Sequence, residues 1–423
     1  MTTTRTFVGP DEPFRSTVTL PGDKSLSHRA LVLAAMAPGK SHIARVGPGA
    51  DIASTVTCLR CFGVVVDGTT VRSRGVGGWE PSVGMLDAGN SASTLRMIAG
   101  AAAGRPFTTV LGGDASLLRR PMRRLAEPLA ALGAAIVVSE DGTAPVTVRG
   151  AALRGAQVTI PVASAQVRTA FAFAALQADG ESGLDSPPGF RDHTERWLTA
   201  LGLGTPSGPT AFRIRPGIVP ELELSIPGDP SSAGFLWAAA ALTPSRVTTP
   251  GVSLNPGRIG LLEVIAAMGA SVEIATAGDI LGDPVGTVTV QGPVLRGTRV
   301  TGALTVRTLD ELPLVGVLAA VAEGETTVTG ARELRAKESD RIAATVALVT
   351  ALGGSAEASA DGFSVRGSGL CPGLFDAGGD HRMAMSAAVA ATAAGTVRVI
   401  GVETAAVSWP GFAETLERVW SSR

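Results

Sequence analysis

The chain has 423 residues, enough for two domains with separate cores, and is 45% hydrophobic and 17% charged with a formal net charge of −1. That balance excludes a protein that binds nucleic acid or a membrane surface by bulk charge, so any anion site must come from a local cluster of cations. The absence of Tyr argues against an aromatic stacking platform for single strands, and no uncharged apolar run reaches the roughly 18–20 residues of a membrane span.

The amino-terminal MTTTRTFVGPDEPF has no charged-then-apolar signal pattern, and the three cysteines do not make a disulfide framework, so a cytoplasmic protein is expected. Cys58 and Cys61 form a C-x-x-C one helical turn apart on an apolar pattern. Without a second such pair or a His pair they read as structural thiols, not as a zinc or redox site.

In chain order, one arrangement recurs six times: a polar, Gly- or Ser-marked turn followed by an Ala/Leu/Val-rich helix. The instances are PGDKSLSHRALVLAAMA, LDAGNSASTLRMIAGAAA, IPVASAQVRTAFAFAAL, IPGDPSSAGFLWAAAAL, LDELPLVGVLAAVAEG and GGDHRMAMSAAVAATAAG. Their starts lie roughly 65 to 80 residues apart, too far for ordinary solenoid units. Strand-like alternations lie between them (STVTL, FTTVLGG, APVTVRG, GTVTVQG, TTVTG, TVRVIGV), as does a second, amphipathic helix. In the helix from Ser339, Ile342, Val346 and Val349 share one face and Gly353 is its stop. Each unit therefore reads β-α-β-α-β-β, and small side chains allow a helix to be surrounded by protein. TLPGDKS and SIPGDPSS each run a strand into Pro-Gly-Asp, the signature of a hinge. They divide the chain into residues 20–226 and residues 1–19 plus 227–423, with hinges near 20–22 and 226–228 and a geometry suited to closing on a ligand.

Four charge clusters open apolar helices. Lys24, Ser25 and Arg29 add cations to a helix amino terminus, which already favours anions. GDASLLRRPMRRL packs Arg119, Arg120, Arg123 and Arg124 into two turns, at least two of them expected on a solvated face. ELRAKESDRI brings Lys337, Glu338 and Arg341 to one helix start by i, i+3 and i, i+4 spacing, and GGDHR places Asp380, His381 and Arg382 before the last apolar helix. Asp310 and Glu311 open another. Recurrence at successive units points to one anion-rich cleft furnished with carboxylates able to carry protons.

Together PGDKSLSHRAL, GNSAST, GDASLLRRPM, SAQVRTA, RDHTER, PGDPSSAGF, LDELP, ELRAKESDRI and DHRMAM resemble the enolpyruvyl transferases, in the family's order and over nearly the whole chain. The match is to the branch whose acceptor is shikimate 3-phosphate. The resemblance implies an α/β fold of two inverted, barrel-like domains, each of three βαβαββ units. It also implies transfer of the enolpyruvyl group of phosphoenolpyruvate to the 5-hydroxyl of shikimate 3-phosphate with release of phosphate, a step of aromatic amino acid biosynthesis, without metal or organic cofactor. Those two small molecules are the expected partners, with no nucleic acid, no membrane and a monomeric enzyme. By motif, Lys24, Ser25, Arg29, Ser164, Gln166, Asp310 and Lys337 match contacts to shikimate 3-phosphate. Lys24, Asn90, Arg120, Gln166, Arg341 and Arg382 match contacts to phosphoenolpyruvate. Asp310 matches the acid that takes the hydroxyl proton, Glu338 the residue that protonates the methylene carbon, and Lys24 serves both substrates.

The sequence departs from the family pattern in places. Ala92 stands where many members have glycine, a change that in the family accompanies reduced sensitivity to glyphosate, a competitor of phosphoenolpyruvate. Phe190 stands where a Ser or Thr often helps to hold the acceptor phosphate, so either Arg191 or His193 compensates or the acceptor is a related one from secondary metabolism. A UDP-N-acetylglucosamine acceptor fits less well, because GDASLLRRP lacks the loop cysteine of that branch. A catalytically silent anion binder would not need Asp310, Glu338, Lys24 and the three arginines together.

Overall fold

The structure is a computed structural model that describes residues 2–423. The chain forms two compact units. One comprises residues 22–227 and 279–283; the other comprises the residues up to 21, 228–278 and 284–423.

Each unit is built round three apolar helices. In the first they are Lys24–Met36, Ala92–Ala102 and Ala165–Ala175. In the second they are Pro230–Ala241, Leu312–Val321 and His381–Ala394. Nearly every residue of these helices is buried, as their all-round apolar composition requires. Small residues set how closely they approach. A Cβ at Gly100 would lie 2.1 Å from the carbonyl oxygen of Ala170, so the second and third core helices meet at a distance only glycine permits. Five of the six begin with a side-chain N-cap, from Asp23, Ser91, Ser164, Asp229 and Asp380. The fifth is entered through the 3₁₀ turn Leu309–Glu311, with Pro in its first turn. Asp23, to which the sequence assigned no role, is therefore a cap: its Oδ1 accepts from the Leu26 amide at 2.8 Å.

Among the described residues the strands form six sheets, five of four strands and one of three. In each of the five a parallel pair is followed by an antiparallel neighbour: Gln157–Thr159 runs parallel to Ser182–Asp185, which pairs antiparallel with Phe212–Ile214. At the two places where the chain passes between units, the last strand before each crossing pairs within its own unit. Arg15–Thr17 stays behind parallel to Arg246–Ser253, and Glu223–Ser225 stays behind parallel to Pro38–Ala44. Each crossing thus completes the sheet that the other crossing would leave one strand short. The crossings are also bonded to each other, the Asp23 amide to the Pro227 carbonyl at 2.8 Å and the Asp229 amide to the Pro21 carbonyl at 3.1 Å. Among the described residues no helix is long and apolar enough to cross a membrane.

Candidate active site

In the first unit, Lys24 begins the first core helix and pairs with Asp51, a buried acid in the first turn of Ala50–Arg60. Ser25 is half-buried beside it. Arg29 is 2% exposed and ties helices together: Nε donates to Thr194 Oγ1 at 2.8 Å, Nη1 to the Ser25 carbonyl at 3.0 Å and Nη2 to Thr169 Oγ1 at 2.9 Å. His28, also buried, shares a 2.7 Å hydrogen bond with Thr55. Burial, reinforced by the charges of Lys24 and Arg29, holds its imidazole well below the usual pKa, so it is neutral at pH 7.

The second and third core helices carry the next group. Asn90 accepts from Arg120 Nη2 at 2.6 Å and donates to Asp114 at 2.8 Å, which fixes one arginine of the basic loop. Arg119 and Arg123 are exposed. Gln166 accepts from Arg96 and donates to Ser93 Oγ at 2.7 Å, joining the two helices at their heads, while Ser164 caps its own helix. Phe190 has a structural partner in place of the missing hydroxyl: the Arg168 guanidinium lies 3.7 Å from its ring centroid. Arg168 is itself held by Glu195 at 2.5 Å and Ser186 at 2.8 Å.

The second unit gathers its charges round Arg341. The helix Arg341–Ala351 starts at that residue, and Lys337 and Glu338 lie in the segment before it, after the 3₁₀ turn Arg332–Ala336. The expected helical spacing of the three is therefore incorrect, because Asp340 caps the helix later than the charge pattern suggests. The grouping still forms through the loop. Arg341 Nη2 reaches Glu338 at 2.7 Å, Nη1 reaches Asp310 at 3.4 Å, and Asp380 accepts from Nε at 2.8 Å and Nη2 at 3.1 Å. Lys337 Nζ donates to Asp310 at 3.2 Å. Asp310 and Glu338 thus share one guanidinium. Burial works against the ionised forms, but the three carboxylates outweigh it and raise the Arg341 pKa. For Asp380, burial pushes its pKa up, yet the charge and hydrogen bonds of Arg341 hold it below the usual carboxylate range.

Arg341, expected to grip a ligand, is 2% exposed on its side chain and has committed four of its five N–H groups. It gathers three carboxylates round one guanidinium. Arg382 is the converse case: it donates to Glu311 at 3.2 Å, its guanidinium carbon lies 5.9 Å from the Phe235 ring centroid, and its other N–H groups have no protein acceptor among the described residues.

Sequence reasoning missed Asp51, Arg96, Ser231 and Arg258, none of which carries a local signal, while Glu311 was singled out with Asp310 but given no partner. Among the described residues no group of three metal-ligating side chains occurs. Cys58 is buried, with its thiol pushed up to about 12 by burial, and Cys61 is exposed; both are free.

Comparison with known proteins places this architecture. The structure superposes on an enolpyruvyl transferase, NikO from Streptomyces tendae, with a TM-score of 0.79 over 99% of this chain and 98% of that one; at 18% identity this likeness concerns the fold alone. It matches an EPSP synthase from Acinetobacter baumannii more closely, with a TM-score of 0.87 and 33% identity over 99% and 98% of the two chains. The fold is that of the enolpyruvyl transferases. The sequence profile of EPSP synthase (3-phosphoshikimate 1-carboxyvinyltransferase) matches residues 8–416. Proteins named 3-phosphoshikimate 1-carboxyvinyltransferase from Chloroflexus aggregans and Chloroflexus aurantiacus are 44% and 45% identical to the chain, each comparison covering 96% of both sequences. The chain belongs to the EPSP synthase family.

Proposed function

We propose that this enzyme transfers the enolpyruvyl group of phosphoenolpyruvate to the 5-hydroxyl of shikimate 3-phosphate and releases phosphate, as a step in aromatic amino acid biosynthesis. The observation that carries the reading is the pairing of Asp310 and Glu338 on one buried guanidinium, with Arg382 beside them retaining donors for an anion. Two proton-carrying groups and a cation meet the needs of adding an alcohol across an enol phosphate.

Glu338 delivers a proton to the methylene carbon of phosphoenolpyruvate, which develops positive charge at C2. The 5-hydroxyl oxygen bonds to C2 while Asp310 accepts its proton. The resulting tetrahedral ketal gives one methyl proton back to Glu338 as phosphate leaves with the proton taken up by Asp310, which restores the carbon–carbon double bond on the acceptor. Atoms and charge balance without a metal or redox partner. Lys24, Ser25, Arg29, Ser164, Gln166 and Lys337 hold shikimate 3-phosphate. Asn90, Arg120, Gln166, Arg341 and Arg382, with Lys24, hold phosphoenolpyruvate, whose charges would otherwise repel the acceptor's phosphate. In Arg341 one Nη1 hydrogen is left for the ligand. The enzyme acts as a cytoplasmic monomer.

The test is phosphate release on mixing the protein with both substrates. Release with shikimate 3-phosphate supports the reading. Release only with another acceptor would assign the enzyme to a sister reaction, and no release with any acceptor would leave an anion binder.

Ala92 gives a second prediction. It opens the second core helix, buried, two residues from Asn90 and its bonded Arg120. The enzyme is expected to resist low-micromolar glyphosate at ordinary phosphoenolpyruvate concentration. Ala92→Gly should lower the inhibitory concentration about tenfold, the effect of about 1.4 kcal/mol in binding. An unchanged value would dissociate Ala92 from inhibitor exclusion.

A further inference from the structure

We infer that Glu311 is a positioning residue for Arg382: a buried carboxylate that presets the guanidinium for phosphoenolpyruvate and is itself braced by side chains reaching the chain crossing. The inference rests on the reading that Arg382 holds phosphoenolpyruvate.

Glu311 is 2% exposed and ends the 3₁₀ turn that leads into the fifth core helix. Its Oε1 accepts from Arg382 Nη1 at 3.2 Å and from Ser231 Oγ at 2.5 Å. Arg258, buried and far away in sequence, donates through Nη2 to Ser231 Oγ at 3.0 Å and to Asp229 Oδ1 at 3.0 Å. Asp229 in turn caps the fourth core helix through the Ser231 amide at 2.7 Å, and its own amide is bonded to the Pro21 carbonyl. A single line of contacts, Arg382–Glu311–Ser231–Arg258–Asp229, therefore ties the heads of the fourth, fifth and sixth core helices to the crossing.

Neighbouring residues on the turn divide the work. Asp310 faces Lys337 and Arg341, while Glu311 faces Ser231 and Arg382. A 3₁₀ turn advances each side chain by about a third of a circle, so adjacent acids can serve different partners. Arg382 is gripped through one carboxylate oxygen and one of its five N–H groups. That grip locates the guanidinium without saturating it, and an arginine already ordered loses less freedom when the anion arrives.

Glu311→Gln keeps the shape and an acceptor for Ser231 but removes the charge that fixes Arg382. The expected result is a KM for phosphoenolpyruvate raised about tenfold, with kcat within twofold and the KM for shikimate 3-phosphate unchanged. Ser231→Ala, one step further along the line, should raise the same KM about threefold and serves if the Glu311 variant does not fold. An unchanged KM for phosphoenolpyruvate in a folded variant, or a loss confined to kcat or thermal stability, would overturn the inference. Should the wild-type protein release no phosphate from the two substrates, the underlying reading fails and this inference falls with it. Wild-type release with an unaltered KM in both variants overturns the inference alone.

Discussion

Glu338→Gln should lower kcat by about 10²- to 10⁴-fold, the usual worth of a positioned proton donor, and leave both KM values within about threefold. The amide can still accept from Arg341 Nη2, which now holds the carboxylate at 2.7 Å, so the surrounding geometry survives and only the transferable proton is lost. Asp310→Asn should give a similar loss by the complementary route, because the hydroxyl then has no base. Steady-state kinetics over both substrates, with deuterium uptake at the phosphoenolpyruvate methylene as a second readout, checks this. Glu338→Gln should abolish the uptake. A variant retaining more than a tenth of wild-type kcat would remove Glu338 from the role of acid.

The legible part of this molecule was whatever is written locally. Six helices apolar on every side had to be surrounded by protein, and composition alone located them. The strands between them followed from alternation, and Gly353, in the left-handed region at φ +80°, follows the helix Arg341–Ala351 as its sequence position suggests. The caps are also written locally, and Asp23, in a segment that reads as a hinge, is an ordinary N-cap. What could not be read is the pairing of groups distant along the chain. Nothing near Lys24 announces Asp51, and nothing near Glu311 announces Ser231, 80 residues earlier. The same limit holds for Arg341: its motif marks it as a cation for substrate, but that three acids also gather on its guanidinium is a property of the packed core. Phe190 likewise reads as a lost donor until the Arg168 guanidinium is found against its ring.

Arg341→Met should destabilise the fold by about 3–5 kcal/mol near neutral pH, because it strands buried carboxylates without their counter-charge. It should also invert the acid response. In the wild-type protein Asp380 has its pKa held below the ordinary 3.8, so its contribution to stability is present above that pH and is lost as pH falls through the depressed value. With the guanidinium gone, burial dominates and raises that pKa instead. The variant is then penalised at neutral pH and relieved as Asp380 takes up a proton, so its stability rises on acidification, whereas the wild type's falls. Urea unfolding at pH 7, at pH 5 and below pH 3.8 separates the two behaviours: the variant gains stability above 3.8, where the Asp380 contribution of the wild type holds level, and the wild type loses it below. The double variant Arg341→Met with Asp380→Asn should recover a large part of the loss at pH 7, since an amide can be buried with less penalty than an unpaired carboxylate. A single variant that lost stability in parallel with wild type on acidification, with no recovery in the double variant, would mean that Arg341 stabilises by packing and not by charge.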